Sequence, residues 1–147
     1  MSTKDYVRDL RALVGPRPVN FVGAAGLIQN ARGEVLLLRR AHAERWGLVT
    51  GISELGEALE ETLRRELLEE TGLTLHHAEL LDMLSPDRLA QVANGDQFYS
   101  YTALFRVTGW SGDPVPDGVE IAEARFFALD DLPPLTRLGE KAREVLT

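Results

Sequence analysis

The stretch from Gly51 to Leu73 reads GISELGEALEETLRRELLEETGL. From Ala58 to Thr71 it has no Gly or Pro and is dense in Leu, Glu and Arg, which predicts a helix. Gly72 stands where a helix C-cap belongs. At about 100° per residue, Leu59, Leu63, Glu66 and Glu70 fall within roughly 60° of one another, so two carboxylates share a face with leucines. Glu69 lies one helical step from Glu66 and beside Glu70, which brings three acids toward one point off the helix. Carboxylates so crowded repel, and a divalent cation between them would relieve the repulsion. The plainer alternative is a solvated, salt-bridged face, with Glu60–Arg64 and Glu61–Arg65 as i,i+4 pairs.

Working outward, the upstream sequence predicts an N-terminal amphipathic helix from Lys4 to Val14, stopped by Gly15-Pro16 and Pro18. A hairpin follows, with strands Phe21 to Ile28 and Val35 to Arg39 about the turn Asn30-Ala31-Arg32-Gly33. Trp46 to Val49 is a further short extended piece. Downstream, Thr74 to Leu84 and Gln97 to Val107 read as strands, Ser111 to Gly118 as a Gly/Pro-rich loop, and Glu123 to Leu129 as extended. Leu135 to Leu146 closes the chain as a helix after Pro133-Pro134. Strands and helices mix without regular βαβ alternation, so the expected class is α+β, helices packed on a mixed sheet.

Composition narrows the function. The 147 residues, 44% of them hydrophobic, suffice for one buried core, and one domain over 1–147 is expected, with 1–18 as N-terminal helix and linker. There is no Cys, which removes disulfides, thiolate metal sites and Cys nucleophiles. The apolar runs are too short to span a bilayer, and the Met1–Asp5 start lacks the parts of a signal peptide, so a cytoplasmic protein with no membrane partner is expected. A net charge of −7 speaks against binding a nucleic acid polymer. It leaves room for a small phosphorylated ligand bound through cations.

Gly51, five residues, Glu57, seven residues, then Arg65-Glu66-Leu67-Leu68-Glu69-Glu70-Thr71-Gly72-Leu73 matches G-x5-E-x7-R-E-U-x-E-E-x-G-U at every specified position, U being bulky aliphatic. This resembles the Nudix hydrolase family, MutT-like proteins among them. The resemblance implies an α/β/α sandwich around a mixed β-sheet, with residues 51–73 as its loop-helix-loop box. It implies a hydrolase that opens a diphosphate linkage in a small nucleoside diphosphate derivative, either a nucleoside di- or triphosphate or a nucleotide sugar. Glu66, Glu69 and Glu70, with the backbone carbonyl of Thr50, would hold Mg2+ or Mn2+, cations that take hard oxygen ligands. Arg65 would orient a carboxylate, while Gly51 and Glu57 would support the loop. The base that activates water would be Glu69 or, outside the box, Glu120, six residues before Phe126. Arg40, at the end of a strand, would contact substrate phosphate.

One departure stands out. Relatives usually carry Leu-Pro-Gly-Gly before the box, and here Leu48-Val49-Thr50-Gly51 takes its place. A positive φ at Thr50 would strain a β-branched residue by about 1–3 kcal/mol, so the loop is where a difference from the family is expected. Trp46, Phe98, Tyr99 and Tyr101 fit either base stacking or the core. His42, His76 and His77 lack the spacing of a zinc site. The competing function is a nucleotide-sensing module that binds without cleaving; an isopentenyl diphosphate isomerase type is disfavoured by the missing Cys. The N-terminal helix is a candidate surface for a homodimer.

Overall fold

The computed structural model describes residues 3–147; Met1 and Ser2, part of the start read above for a signal, lie outside the described residues. Helix α1 covers Thr3–Val14 and ends at Gly15, whose φ of +69° turns the chain. Strand β1 is Val19–Leu27, β2 Val35–Arg40, β3 Trp46–Gly47 and β4 Val49–Ile52. Helix α2, Leu59–Thr71, leads into β5, Thr74–Leu84. Then come β6, Ala90–Gln91, β7, Gln97–Ser111, β8, Ile121–Phe127, and α3, Arg137–Leu146.

The larger sheet runs β4-β1-β7-β5, with β6 paired to β7, and the smaller one runs β3-β2-β8. β1 and β7 are parallel, whereas β4 on β1 and β5 on β7 are antiparallel, so the sheet is mixed. Successive residues of the central strands feed opposite faces. Ala24, Ala103 and Phe105 pack with Leu63 and Leu67 of α2, while Ala25 and Leu104 pack with Leu37, Leu135 and Ala142 of the α3 side. Helices therefore cover both sides of the sheet structure, with α1 added at the N-terminus, where Tyr6 meets Phe21 edge-on at 6.3 Å between ring centroids.

Helix α2 forms where the composition predicts it. Gly72 adopts φ +75° and its N–H bonds the Leu68 carbonyl, the left-handed stop that glycine permits without Cβ strain. Leu63 and Leu67 are fully buried, each contributing about 2 kcal/mol of apolar transfer free energy. Glu60 and Glu61 in the first turn face the positive end of the helix dipole.

Two expectations are corrected. The turn at Asn30 forms, with Asn30 Oδ1 accepting from the N–H groups of Arg32 and Glu34, but it does not make a simple hairpin. The ladder between these two arms is limited to the Gln29–Val35 bridge, and β1 and β2 enter different sheets, because each finds its ladder partners elsewhere. Similarly, the extended piece at Trp46 to Val49 divides between β3 and β4, again one strand for each sheet. Among the described residues no helix is long and apolar enough to cross a membrane.

Candidate functional site

The buried face of α2 places Glu66 and Glu70 against β4, at 7% and 2% exposure. Both join Glu69, Glu120, Arg40, Thr50 and Gly51 in lining one cavity of about 710 Å3. The acids singled out in the sequence thus reach a single cleft, and the positions before, within and after the box meet there.

Arg65 organises the loop side. Its Nε donates to Glu57 Oε2 at 3.0 Å and its Nη2 to Glu57 Oε1 at 2.8 Å, a two-pronged pairing suited to the guanidinium fork. Nη2 also reaches the Ile52 carbonyl at 3.2 Å, and Nη1 donates to Glu66 Oε1 at 2.8 Å. Glu69 lies farther off, at 3.8 Å. One arginine therefore fixes the loop, through Glu57, and the direction of Glu66. The i,i+4 pairs read from the helix do not form as expected: Arg64 pairs with Glu61, and Arg65 turns inward to Glu57 and Glu66.

Glu57 also accepts from the Thr62 hydroxyl at 2.6 Å and the Glu54 N–H at 3.1 Å. The hydrogen bonds from Arg65, foremost, hold its pKa down at about 2 from an ordinary 4.5, and the same contact raises Arg65. A depressed carboxylate stabilises the fold above its unfolded pKa and loses that contribution as pH falls through the folded one. We predict that the urea midpoint of the protein drops between pH 4.5 and about 2 by more than that of Glu57→Gln. Parallel pH dependences for the two proteins would show that the Glu57 pairing does not stabilise the fold.

Glu70 behaves oppositely. Burial pushes its pKa up to about 7, Arg40 opposes that rise, and Glu66 and Glu120 add to it. Its Oε2 meets Arg40 Nη2 at 3.0 Å, while its buried Oε1 has no hydrogen-bond partner. The same Arg40 Nη2 makes a long 3.4 Å contact with the Thr50 carbonyl. The guanidinium thus stands between two groups that the family resemblance implies as metal ligands. Among the described residues no three acidic or His side chains are drawn into a ready metal cage, because Arg65 and Arg40 hold Glu66 and Glu70. The donor set nevertheless suits a hard divalent cation: carboxylates and a backbone carbonyl, with one buried carboxylate oxygen unpartnered.

Thr50 needs no left-handed backbone; among the described non-Gly residues only His42 has a positive φ. It is a strand residue whose hydroxyl donates to the Ala24 carbonyl at 3.0 Å, so the departure from the usual glycine costs no backbone strain. Gly51 is required for space. A Cβ there would sit 2.2 Å from Glu66 Cδ, and a Cβ on Gly23 would sit 2.2 Å from the Gly51 carbonyl oxygen.

Gly23 lines the cavity and was not singled out in the sequence, nor was Asp117. Asp117 Oδ1 accepts from the N–H groups of Val119, Glu120 and Ile121 at 2.8–3.0 Å, which shapes the loop that presents Glu120. The Pro116-Asp117-Gly118 turn signature was the available signal. Of the unassigned aromatics, Phe98 lines the cavity, and Trp46 is buried against Phe127.

The comparisons agree with this geometry. The NUDIX domain family model matches residues 19–147. The chain is 31% identical over 103 residues to "Putative ADP-ribose pyrophosphatase YjhB" of Bacillus subtilis, covering 70% of this chain and 48% of that protein. It is 32% identical over 118 residues to "NAD-capped RNA hydrolase NudC" of Escherichia coli O157:H7, covering 78% of this chain and 42% of that one. This chain thus spans about half or less of the length of those relatives. The crystal structure of a MutT NUDIX hydrolase from Burkholderia pseudomallei superimposes with a TM-score of 0.73 at 31% identity, covering 88% of this chain and 99% of the other. Box spacing, sheet arrangement and a family match through nearly the whole described chain converge, and the chain belongs to the NUDIX domain family.

Proposed function

We propose that this protein hydrolyses a diphosphate linkage in a nucleoside diphosphate derivative, using Mg2+ or Mn2+. The observation that carries the reading is the gathering of Glu66, Glu69, Glu70 and Glu120 around one 710 Å3 cavity beside Thr50 and Arg40. Glu66, Glu69, Glu70 and the Thr50 carbonyl are the ligands that would hold the cations. Bound there, the cations supply a lowered water pKa and charge neutralisation on the diphosphate. Arg65 keeps Glu66 aimed into the cavity while Glu57 anchors Arg65 to the loop. Glu69 or Glu120 takes the proton from the attacking water. Arg40, which rests on Glu70 and the Thr50 carbonyl at the cavity wall, is the guanidinium that would contact a substrate phosphate. The Thr50 substitution is the one sequence feature that points toward a sensor, and it brings no positive φ.

Nucleoside diphosphates, triphosphates, dinucleotides and nucleotide sugars incubated with Mg2+ or Mn2+ test the reading through release of phosphate or mononucleotide. Metal-dependent turnover on at least one class is expected. Saturable binding with no turnover on any compound would replace the hydrolase by a sensor.

A further inference from the structure

Past Arg40 the cleft continues into a second cavity of about 640 Å3, whose wall carries Arg40, Arg45, Arg88 and Arg137. Four of the chain's 16 Lys and Arg residues thus line one cavity in a chain of net charge −7. Glu140 is the one carboxylate on that wall, and it already pairs with Arg143. Arg40 is engaged by Glu70, and Arg137 by Asp87. Arg45 spends one nitrogen on the Leu135 carbonyl, at 3.1 Å. Among the described residues, no ion pair joins Arg45 or Arg88 to a carboxylate.

The chain is bent to achieve this. Between β2 and β3 the Ala43 N–H bonds the Arg40 carbonyl, and His42 takes φ +66°, a left-handed conformation that His tolerates better than most residues. That tight turn lies between Arg40 and Arg45, and both line the same cavity with Arg88 and Arg137. Guanidinium groups concentrated in a concave wall focus a positive field and match the geometry of phosphate oxygens.

We infer that Arg45 and Arg88, flanked by the Asp87-paired Arg137, form a subsite for a dianionic phosphate lying outside the scissile diphosphate of the substrate. The inference rests on the hydrolase reading for the word substrate, but not for the binding itself. At 640 Å3 the cavity has room for that phosphate together with the group that bears it. The phosphate has two chemical sources: the terminal group of a longer phosphate chain, or a monoester on a sugar hydroxyl.

Calorimetric titration in EDTA, where no turnover intervenes, compares two pairs of probes: ATP with ADP, and 2′-phospho-ADP-ribose with ADP-ribose. In at least one pair the additional phosphate is expected to tighten Kd by about tenfold. A gain with ATP assigns the subsite to a chain terminus, and a gain with the phosphorylated ADP-ribose assigns it to a monoester. The variant Arg45→Gln/Arg88→Gln is expected to erase the gain and to leave Kd for the parent compound within about twofold. Arg88→Gln alone, on an exposed residue, is expected to remove part of it, and circular dichroism checks that both variants fold. Equal affinities within both pairs, or a variant that weakens both members of a pair alike, would overturn the subsite. Failure of the hydrolase reading looks different: the phosphate gain and its loss in the variant would persist, with no cleavage of any probe in Mg2+ or Mn2+.

Discussion

Glu69→Gln is expected to lower kcat by about 10^2- to 10^4-fold, with stability changed by no more than about 0.5 kcal/mol. The asymmetry follows from placement. Glu69 lines the acidic cavity but its side chain is 51% exposed, and its ion pair with Arg65 is stretched to 3.8 Å. The amide keeps the shape and removes the negative charge, so the loss is expected in the cation binding and proton transfer proposed for Glu69, while the fold is spared. Steady-state kinetics in Mg2+ and in Mn2+, beside a thermal melt, measure both halves. Turnover unchanged from wild type would remove Glu69 from the site. Glu120→Gln is the companion variant. On the proposed reading, the variant that loses kcat while Mn2+ affinity is kept marks the acid that accepts the water proton.

The second large effect is expected at Arg65. Arg65→Lys keeps the charge but cannot serve Glu57 through two nitrogens while also reaching Glu66 and the Ile52 carbonyl. Loss of this mostly buried pairing is expected to cost about 2–3 kcal/mol of stability, below the usual figure for a fully unpaired buried charge because lysine keeps one contact. Cation affinity is expected to fall about 10- to 100-fold as Glu66 loses its orienting partner. Urea denaturation and a Mn2+ titration report the two separately. If stability falls while Mn2+ binds as before, Arg65 supports the loop but does not position Glu66.

The helix, its cap and the acids it presents were readable from residues 58–72 because they depend on local spacing and on turn chemistry. The sheet partners were not. Nothing within β1 or β2 states that their turn opens into two sheets; that is decided by β7 and β8, about 80 residues downstream. The same distance problem explains the site. Arg40 reads as a strand-end phosphate contact, yet it rests on Glu70 and the Thr50 carbonyl, an arrangement that depends on how β2 and β4 lie against α2. Thr50 reads as a source of strain only if its φ is assumed from the usual glycine, and pairing of β4 with β1 supplies an ordinary extended backbone instead. Asp117 was legible as a turn, but its hold on three successive N–H groups became visible only once Glu120 was seen at the cavity.

The stacking of Gly23, Gly51 and Glu66 sets limits on how this chain can vary. A methyl group at position 23 would drive into the carbonyl of position 51, and one at position 51 would drive into the carboxylate carbon of Glu66. The carbonyl met from position 23 is backbone and cannot swing aside, and the Glu66 side chain could yield to a methyl at position 51 only by moving away from its Arg65 contact. Position 23 lies outside the box that marks the family, yet its freedom is governed by the box. For anyone diversifying this scaffold, the three positions form one unit that must be left alone or rebuilt together.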